Sequence, residues 1–327
     1  MASIRQRNGK WQARIIRKGH PNVTRTFHTK QDAERWSRAT EVALDRGVDV
    51  SAGKAERTTF GELIARYMHE VTPTLKGARD DSIRLNALMR HPICKLSVGR
   101  VTPSRIAEFR DERLRQVAPG TVIRELAYFS AIINHARREW GFNLENPVSR
   151  VRKPQTPAGR ERVLSESEQD RLLEALRPSG RRSPWMFPLV VLALESAMRR
   201  SELLKLAWQD VDLSNQTATL HDTKNGDVRI VPLSKRAVEV LQALPRSITG
   251  KVIPMSQYAV AAAFDRAMAR ASVSGFRFHD LRHTAVTRMA QKLPNLIELA
   301  AVTGHKSLRM LQRYYHPQPT DLAKKLG

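Results

Sequence analysis

Residues 279–283 have the sequence His-Asp-Leu-Arg-His and begin a stretch whose apolar spacing predicts an amphipathic helix. On such a helix His279 and Arg282 lie three residues apart and share a face, so an acid–base group and a fixed cation point the same way. The alternative is a metal-binding pair of His279 and His283, four residues apart. No glutamate adjoins His279, no cysteine is near and no further acidic residues cluster there. The sequence therefore predicts neither a metal site nor a cofactor.

A second motif lies upstream, where residues 195–202 read Glu-Ser-Ala-Met-Arg-Arg-Ser-Glu. It follows an apolar run that predicts a helix starting near Pro188. Arg199 comes directly after that helix and has an acidic residue, Glu202, three positions on. This spacing either holds the guanidinium toward a cleft or forms a surface ion pair.

Lys224 stands beside a predicted turn. Asn225-Gly226 lies between two β-rich runs, which predicts a two-residue hairpin. Lys224 at its tip can reach a ligand held elsewhere, or it can simply be solvated.

The fourth motif is near the end of the sequence. His305 follows Gly304, a residue typical of a helix C-cap, and precedes Tyr314 by nine positions. Tyr314 follows Arg313 directly. A structural tyrosine is the alternative for an isolated Arg-Tyr pair.

Taken together, the four motifs resemble the tyrosine recombinase (phage integrase) family over residues 160–327. The resemblance rests on separated residues that occur in the family's order and with similar spacing: Arg199, Lys224, His279-x-x-Arg282, Gly304-His305 and Tyr314. It implies a metal-free site that breaks and rejoins DNA strands.

The resemblance also implies roles for the reacting groups. Tyr314 would attack the phosphorus and form a 3′-phosphotyrosyl link, while His279 accepts its proton and Lys224 protonates the departing 5′ oxygen. Position relative to Arg313 and His305 selects Tyr314 over its neighbour Tyr315 as the nucleophile.

Positive charge around the phosphate is assigned in the same way. Arg199 and Arg282 would clamp the phosphate oxygens, with His305 as a further donor. The sequence departs from the family before Arg199, where Ser196-Ala197 replaces the usual Thr-Gly. Alanine restricts the backbone at a position where glycine is free.

The predicted fold class is multidomain α+β. We expect a small sheet-plus-helix arm-type DNA-binding domain at 1–57 and a helical core-binding domain at 58–150. A linker at 151–159 would precede a mainly helical catalytic domain with a small β-hairpin sheet at 160–327. Capping-box patterns begin predicted helices in the second and last segments, Thr59-x-x-Glu62 and Ser165-x-x-Glu168.

Charge and composition narrow the class of partner. The 327 residues include 56 Lys and Arg against 32 Asp and Glu, a formal net charge of +24 that all three segments share. This favours a protein that lies along a polyanion over a generally basic or ribosome-associated protein. No apolar run approaches the roughly 20 residues of a membrane helix. A single cysteine, Cys94, excludes an internal disulfide and a cysteine-rich zinc site.

The resemblance implies an integrase that inserts and excises a phage or mobile genome. Its expected partners are double-stranded DNA at attachment sites, three further copies in a homotetramer on DNA, a host DNA-bending protein and an excisionase. We expect it in the cytoplasm, associated with the nucleoid and not with a membrane. The alternatives are a non-catalytic DNA-binding regulator and a topoisomerase-like enzyme.

Overall fold

The computed structural model describes residues 2–17, 22–45, 52–157, 159–221 and 228–314, together with Thr320, Ala323 and Leu326. Contacts divide the chain into two compact units, Met1–Ala158 and Gly159–Gly327. Helices dominate both units, and each contains a small antiparallel sheet, which confirms the predicted fold class. None of the helices in the described residues is long and apolar enough to cross a membrane.

The first unit begins with a three-stranded antiparallel sheet covered on one face by a helix. Its elements are β1 (Ala2–Arg7), β2 (Lys10–Ile15), β3 (Val23–Phe27) and α1 (Lys30–Asp45). A hairpin joins β1 to β2 at Asn8-Gly9, a residue pair typical of such turns, and both residues have the positive φ values that the turn requires, 49° and 73°. Ala13 and Ile15 are buried between the sheet and α1.

The opposite face of this sheet is basic. The register pairs Ser3 with Arg14, Arg5 with Gln12 and Arg7 with Lys10. Residues paired across an antiparallel ladder point to the same side. One exposed face, which we call the basic sheet face, therefore carries four cations: Arg5, Arg7, Lys10 and Arg14.

A helical bundle follows, made of α2 (Ala52–Arg57), α3 (Phe60–Glu70), α4 (Ala78–Leu88), α5 (Pro103–Leu114) and α6 (Pro119–Glu139). The predicted capping box begins α3: the Glu62 amide donates to Thr59 Oγ1 (3.2 Å), and the Thr59 amide donates to Glu62 Oε2 (2.7 Å). In the core, the Phe129 ring lies 4.8 Å from both the Phe60 and Phe109 rings.

Helix α2 lies where the sequence analysis placed the last residues of the arm domain. Ala55 is buried in the bundle core, and Lys54 Nζ donates a hydrogen bond to the Trp140 carbonyl (2.7 Å). The same ammonium lies 4.8 Å from the centre of the Phe142 ring. Tertiary contacts therefore stabilise a helix in a segment with little helical signal of its own.

The second unit is built around α8 (Met186–Ser196), which is buried along most of its length. A helix that is apolar on all sides must be enclosed by others. Its neighbours include α7 (Glu166–Leu176), α10 (Lys235–Gln242), α11 (Gln257–Arg270) and α12 (Phe278–Lys292). The predicted capping box at Ser165 begins α7, and the short helix α9 (Arg200–Lys205) follows α8.

A small sheet and a last helix complete this unit. The strands β4 (Val211–Asp212), β5 (Thr217–Leu220) and β6 (Arg229–Pro232) pair in antiparallel order, and α13 (Leu296–Thr303) packs near β6. Leu220 of β5 pairs with Arg229 of β6. The predicted turn at Asn225-Gly226 lies outside the described residues.

Candidate active site

Arg199 is held at the junction between α8 and α9. It occupies the N-cap of α9, where its amide donates to Glu202 Oε2 (2.8 Å) and its Nη1 donates to Glu202 Oε1 (2.8 Å). Glu202 is only 4% exposed, so this pair is not a surface ion pair. Burial raises the pKa of the Glu202 carboxyl, but the hydrogen bonds from Arg199 and the charges of Arg229 and Arg199 together hold it below its ordinary value.

Arg282 connects two loops from the interior of the unit. It is 6% exposed on α12 and donates hydrogen bonds to the carbonyls of Ala197 and Thr303, the latter at 2.7 Å. Burial, with repulsion from Arg199, lowers the pKa of the Arg282 guanidinium to about 10. The group therefore remains a cation at neutral pH, held between the segments that carry Arg199 and His305.

His305 follows Gly304, the left-handed C-cap of α13 (φ 70°). Its Nδ1 lies 2.7 Å from Thr303 Oγ1, and that hydroxyl donates its hydrogen to the Leu299 carbonyl (2.6 Å). Nδ1 is therefore the donor in the first contact, and Nε2 accepts from Arg282 at 3.5 Å. Burial, with the nearby guanidinium groups of Arg282 and Arg199, lowers the pKa of His305 to about 4, so the ring is neutral.

Tyr314 lies in a 3₁₀ turn, Gln312–Tyr314, and is half-buried. Its hydroxyl forms a hydrogen bond with Nδ1 of His283. A phenol is a better donor than a neutral imidazole, and we assign the hydroxyl as the donor. The His305 ring centre lies 6.4 Å from that of Tyr314. Burial raises the pKa of the Tyr314 phenol despite the nearby cations Arg313 and Arg282.

His279 lies on α12 beside an open cleft of about 450 Å³ that Arg199 also lines. Arg200 and Arg277 add further positive charge to the same cleft. The His279 ring centre is 5.6 Å from that of His283, edge to face. Burial, together with Arg282, lowers the pKa of His279 below its ordinary value.

Comparison with known proteins assigns the chain to a family. Residues 162–321 match the phage integrase family, and residues 56–154 match the phage integrase N-terminal domain. A shufflon-specific DNA recombinase of Escherichia coli is 36% identical over 282 residues, which cover 84% of this chain and 73% of that protein. A putative integrase/recombinase of Haemophilus influenzae is 32% identical over 335 residues, 98% of this chain and 89% of the relative. This chain belongs to the phage integrase family of tyrosine recombinases.

Solved integrase-family structures have the same fold. A lambda integrase tetramer bound to a Holliday junction superposes with a TM-score of 0.64 at 19% identity, over 93% of this chain and 95% of that one. The similarity therefore includes both units of this integrase-family chain.

The structure describes five of the six predicted site residues, all in the second unit. Arg199 and His279 line the open cleft. Arg282 contacts His305, whose ring centre lies 6.4 Å from that of Tyr314, and Tyr314 lines a separate pocket with His283. Lys224, the sixth, lies outside the described residues. The described part of the chain contains no group of three or more His, Cys, Asp or Glu side chains that could hold a metal ion.

Two residues that contact the predicted site or its support, His283 and Arg229, had no such role in the sequence analysis. It considered His283 only as a metal ligand, although this ring contacts Tyr314. It assigned no role to Arg229, which contacts Glu202 and the end of α13. The position of His283 directly after Arg282 was a usable signal, whereas the Arg229 contacts join segments far apart in sequence and become visible only in the fold.

Proposed function

We propose that this integrase-family chain is a site-specific recombinase that cleaves and rejoins double-stranded DNA through a covalent link between Tyr314 and a 3′ phosphate. The observation that carries the proposal is the position of Arg282. Its guanidinium bonds to the carbonyls of Ala197 and Thr303, and so links the loops that lead to Arg199 and His305. Buried Arg282 thus holds in place the two segments that carry the other candidate phosphate-binding groups, Arg199 and His305.

The chemistry requires positive charge. A phosphodiester repels nucleophiles, and its transition state spreads negative charge over several oxygens. Guanidinium groups match pairs of phosphate oxygens, so Arg199 and Arg282 would stabilise that charge without reorganisation during the reaction. His305 would add a donor through Nε2, because the nearby phosphate anion would raise the pKa of the ring and Nε2 would then take a proton from water.

In the cleavage step, one phosphoester bond replaces another. The Tyr314 oxygen bonds to phosphorus and the bond from phosphorus to the 5′ oxygen breaks. An imidazole takes the phenol proton, and Lys224 gives a proton to the departing 5′ oxygen. The energy of the phosphoester is kept in the tyrosyl link, so the reverse attack by a 5′ hydroxyl rejoins strands. The family resemblance favours His279 as the proton acceptor, whereas the hydrogen bond to Tyr314 favours His283.

The proposed partner is DNA at attachment sites, bound by a homotetramer. Two observations support it: the net charge of +24, and the fold similarity to a tetrameric integrase on a Holliday junction. We propose the basic sheet face as a second, arm-type DNA contact. Insertion and excision of a phage or mobile genome would then need a host DNA-bending protein and an excisionase, inside the cytoplasm.

A second candidate is rearrangement of a resident DNA element. The 36% identity to a shufflon-specific recombinase favours it. Product structure separates the two functions: insertion joins two DNA molecules, whereas rearrangement changes the order of segments within one.

Covalent trapping tests the proposal. The full-length chain is mixed with nicked duplexes of randomised sequence, from which the short 5′-hydroxyl fragment diffuses away after cleavage, and DNA that stays bound in detergent is sequenced. We expect a covalent adduct on a defined sequence, and none with Tyr314→Phe. DNA binding without an adduct would identify a non-catalytic regulator. With a supercoiled plasmid that carries the recovered sequence, relaxation without strand exchange would identify a topoisomerase-like enzyme.

A further inference from the structure

Arg229 is a buried arginine beside the candidate site that the proposed reaction does not use. It is the first residue of β6, and its side chain is 11% exposed. Nη2 donates to Glu202 Oε2 (2.9 Å), and Nη1 donates to the carbonyl of Val302 (2.8 Å) in the last turn of α13. One guanidinium therefore connects β6, α9 and α13.

The Arg229 side chain leaves no room for a Cβ at residue 304, which is a glycine. A Cβ added to Gly304 would lie 2.8 Å from Nη1 of Arg229 and 2.9 Å from its Cδ and Cζ. Such distances are too short for any side chain, and Arg229 cannot retreat without breaking its bonds to Glu202 and Val302. Gly304 directly precedes His305, so the guanidinium lies against the backbone that carries this ring.

Arg229 also changes the charge that Arg199 presents. The Glu202 carboxylate contacts both arginines, Arg199 through Oε1 and Arg229 through Oε2. With one arginine, the pair would be neutral and Arg199 would have little net charge to offer a phosphate. With two arginines the group keeps a net positive charge. Burial, together with repulsion from Arg199, lowers the pKa of Arg229, while Glu202 opposes this.

We propose that Arg229 is a positioning residue for the recombinase reaction: it fixes Glu202, and through it Arg199, in register with the end of α13 and His305. Its two Nη atoms bond to Glu202 and Val302, and the phosphate contacts are assigned to Arg199, Arg282 and His305. The proposal rests on the proposed function for its activity test, and has one test that does not.

The first test compares Arg229→Ala with the unaltered chain. The rate of covalent adduct formation is measured in a single turnover, on a duplex recovered by trapping with the unaltered chain. Small misplacements of catalytic groups slow reactions by about 10²-fold, and we expect a loss of that order with DNA affinity changed less than threefold. The matched control is Arg288→Ala, since the Arg288 guanidinium also joins a side-chain oxygen, that of Gln169, to a backbone carbonyl, that of Leu164. Equal rates for Arg229→Ala and the unaltered chain would overturn the proposal.

Arg229→Lys is a second variant that tests the proposal even if Arg229→Ala does not fold. Lysine keeps the positive charge but has one ammonium in place of a fork, so it cannot hold both acceptors in the same geometry. We expect an adduct rate between those of Arg229→Ala and the unaltered chain, at a similar melting temperature. If Arg229→Ala does not fold, an Arg229→Lys chain with the full rate contradicts a positioning role.

A double-mutant cycle tests the contact with Gly304. Gly304→Ala should slow adduct formation because the new methyl group displaces Arg229. In the Arg229→Ala background this clash is absent, and only the left-handed backbone of Gly304 remains as a cause. We therefore expect Gly304→Ala to have a several-fold smaller effect in that background. The same fold-loss in both backgrounds would show that Gly304 acts independently of Arg229.

The third test needs no DNA. Burial and the surrounding charges of Arg282, Arg199, Arg229 and His283 lower the pKa of His305 to about 4. NMR titration of the histidine ring protons in the DNA-free full chain should show that Arg229→Ala raises this pKa, while Arg288→Ala leaves it in place. An unchanged His305 pKa in Arg229→Ala contradicts the proposed coupling. If adducts fail in the unaltered chain while this shift occurs, the recombinase function is wrong, while the electrostatic coupling of Arg229 to His305 holds.

Discussion

The hydroxyl of Tyr314 donates a hydrogen bond to Nδ1 of His283, the residue directly after Arg282 on α12. In the DNA-free chain the proposed nucleophile is thus already in contact with a proton acceptor. Burial, with Arg313 and His279 nearby, lowers the pKa of His283 below its ordinary value. The ring is therefore neutral at pH 7 and able to accept.

We predict that His283, rather than His279, receives the proton of Tyr314. Asparagine places an oxygen near the position of Nδ1 but has no basicity, so His283→Asn keeps the hydrogen bond and loses the base. General-base catalysis contributes about 10²–10⁴-fold, and we expect a loss of at least about 10²-fold in the adduct rate. His279→Asn is the matched control on the same helix and should lose less. The reverse order would assign the proton to His279, as the family resemblance does.

The same contact predicts the acid limb of the pH profile. His283 accepts a proton only while neutral, so adduct formation should fall as the pH decreases through its pKa, below 6.5. The groups that act on this ring are Arg313, His279, Asp280 and Arg282. In His283→Asn the limb should disappear. An unchanged limb in that variant would mean that another group titrates.

Replacing the nucleophile isolates the hydroxyl. Tyr314→Phe removes one oxygen from a half-buried ring that keeps its apolar contacts, so folding and DNA binding should survive while the covalent adduct is lost. Tyr315, the neighbouring candidate, lies outside the described residues, and Tyr315→Phe is the control that should keep the adduct. Mass spectrometry of the DNA-linked peptide checks the assignment. An adduct that remains in Tyr314→Phe would refute it.

Several parts of the fold were predictable because their causes are local. The capping boxes at Thr59 and Ser165 and the turn at Asn8-Gly9 follow from backbone chemistry over a few residues. Helix α2 was not predictable, because burial of Ala55 in the bundle stabilises it. Local signals determine where an element begins, and distant contacts decide whether a weak one forms.

The site divides in the same way. The residue types and their order identified Arg199, Arg282, His305 and Tyr314 as candidates before any geometry. The hydrogen bonds of Arg282 to Ala197 and Thr303 join residues 85 and 21 positions away. No periodicity in a sequence encodes such separations, so the anchoring of the clamp had to come from the fold.

If Arg199 and Arg282 clamp the phosphate, their loss should reduce the rate of adduct formation much more than the affinity for DNA. Arg199→Ala and Arg282→Ala each remove a donor that stabilises developing charge, for which losses of about 10²–10³-fold are typical. Affinity for DNA should change far less, since a chain with a net charge of +24 has many other cations that can contact the DNA backbone. Adduct formation should also persist in excess EDTA, because guanidinium groups supply the charge. Equal losses in affinity and rate, or an adduct that one divalent ion restores, would contradict the clamp.

The basic sheet face predicts a second DNA contact in the full chain. Each phosphate contact adds about one unit to the slope of log K against log salt, so the loss of one contact reduces the slope by about one unit. Arg7→Gln with Arg14→Gln should therefore reduce the slope by about two, with the adduct rate on a trapped duplex unchanged. Arg38→Gln, at an exposed position on α1, alters charge on the other side of the sheet and should have a smaller effect. Equal slopes for all variants would show that the face is only solvated.

The residue that departs from the family pattern allows a test of backbone strain. Ala197 ends α8 in the left-handed region, with φ 52° and ψ 19°, and is fully buried. That conformation costs a non-glycine residue about 1–2 kcal/mol. Ala197→Gly removes this strain but loses a buried methyl group, about 0.8 kcal/mol, and adds freedom to the unfolded chain, about 0.5–1 kcal/mol. The terms nearly cancel, so we expect the free energy of unfolding to change by less than about 1 kcal/mol.

Ala193, inside the same helix, is the control for this comparison. It is buried to the same degree but has no left-handed strain to relieve, so Ala193→Gly should destabilise the chain by about 1.5 kcal/mol. Urea unfolding of both variants measures the difference. Because Arg282 contacts the carbonyl of Ala197 and not its side chain, Ala197→Gly should also keep the adduct rate. Equal destabilisation by the two substitutions would mean that the left-handed turn before Arg199 stores no strain.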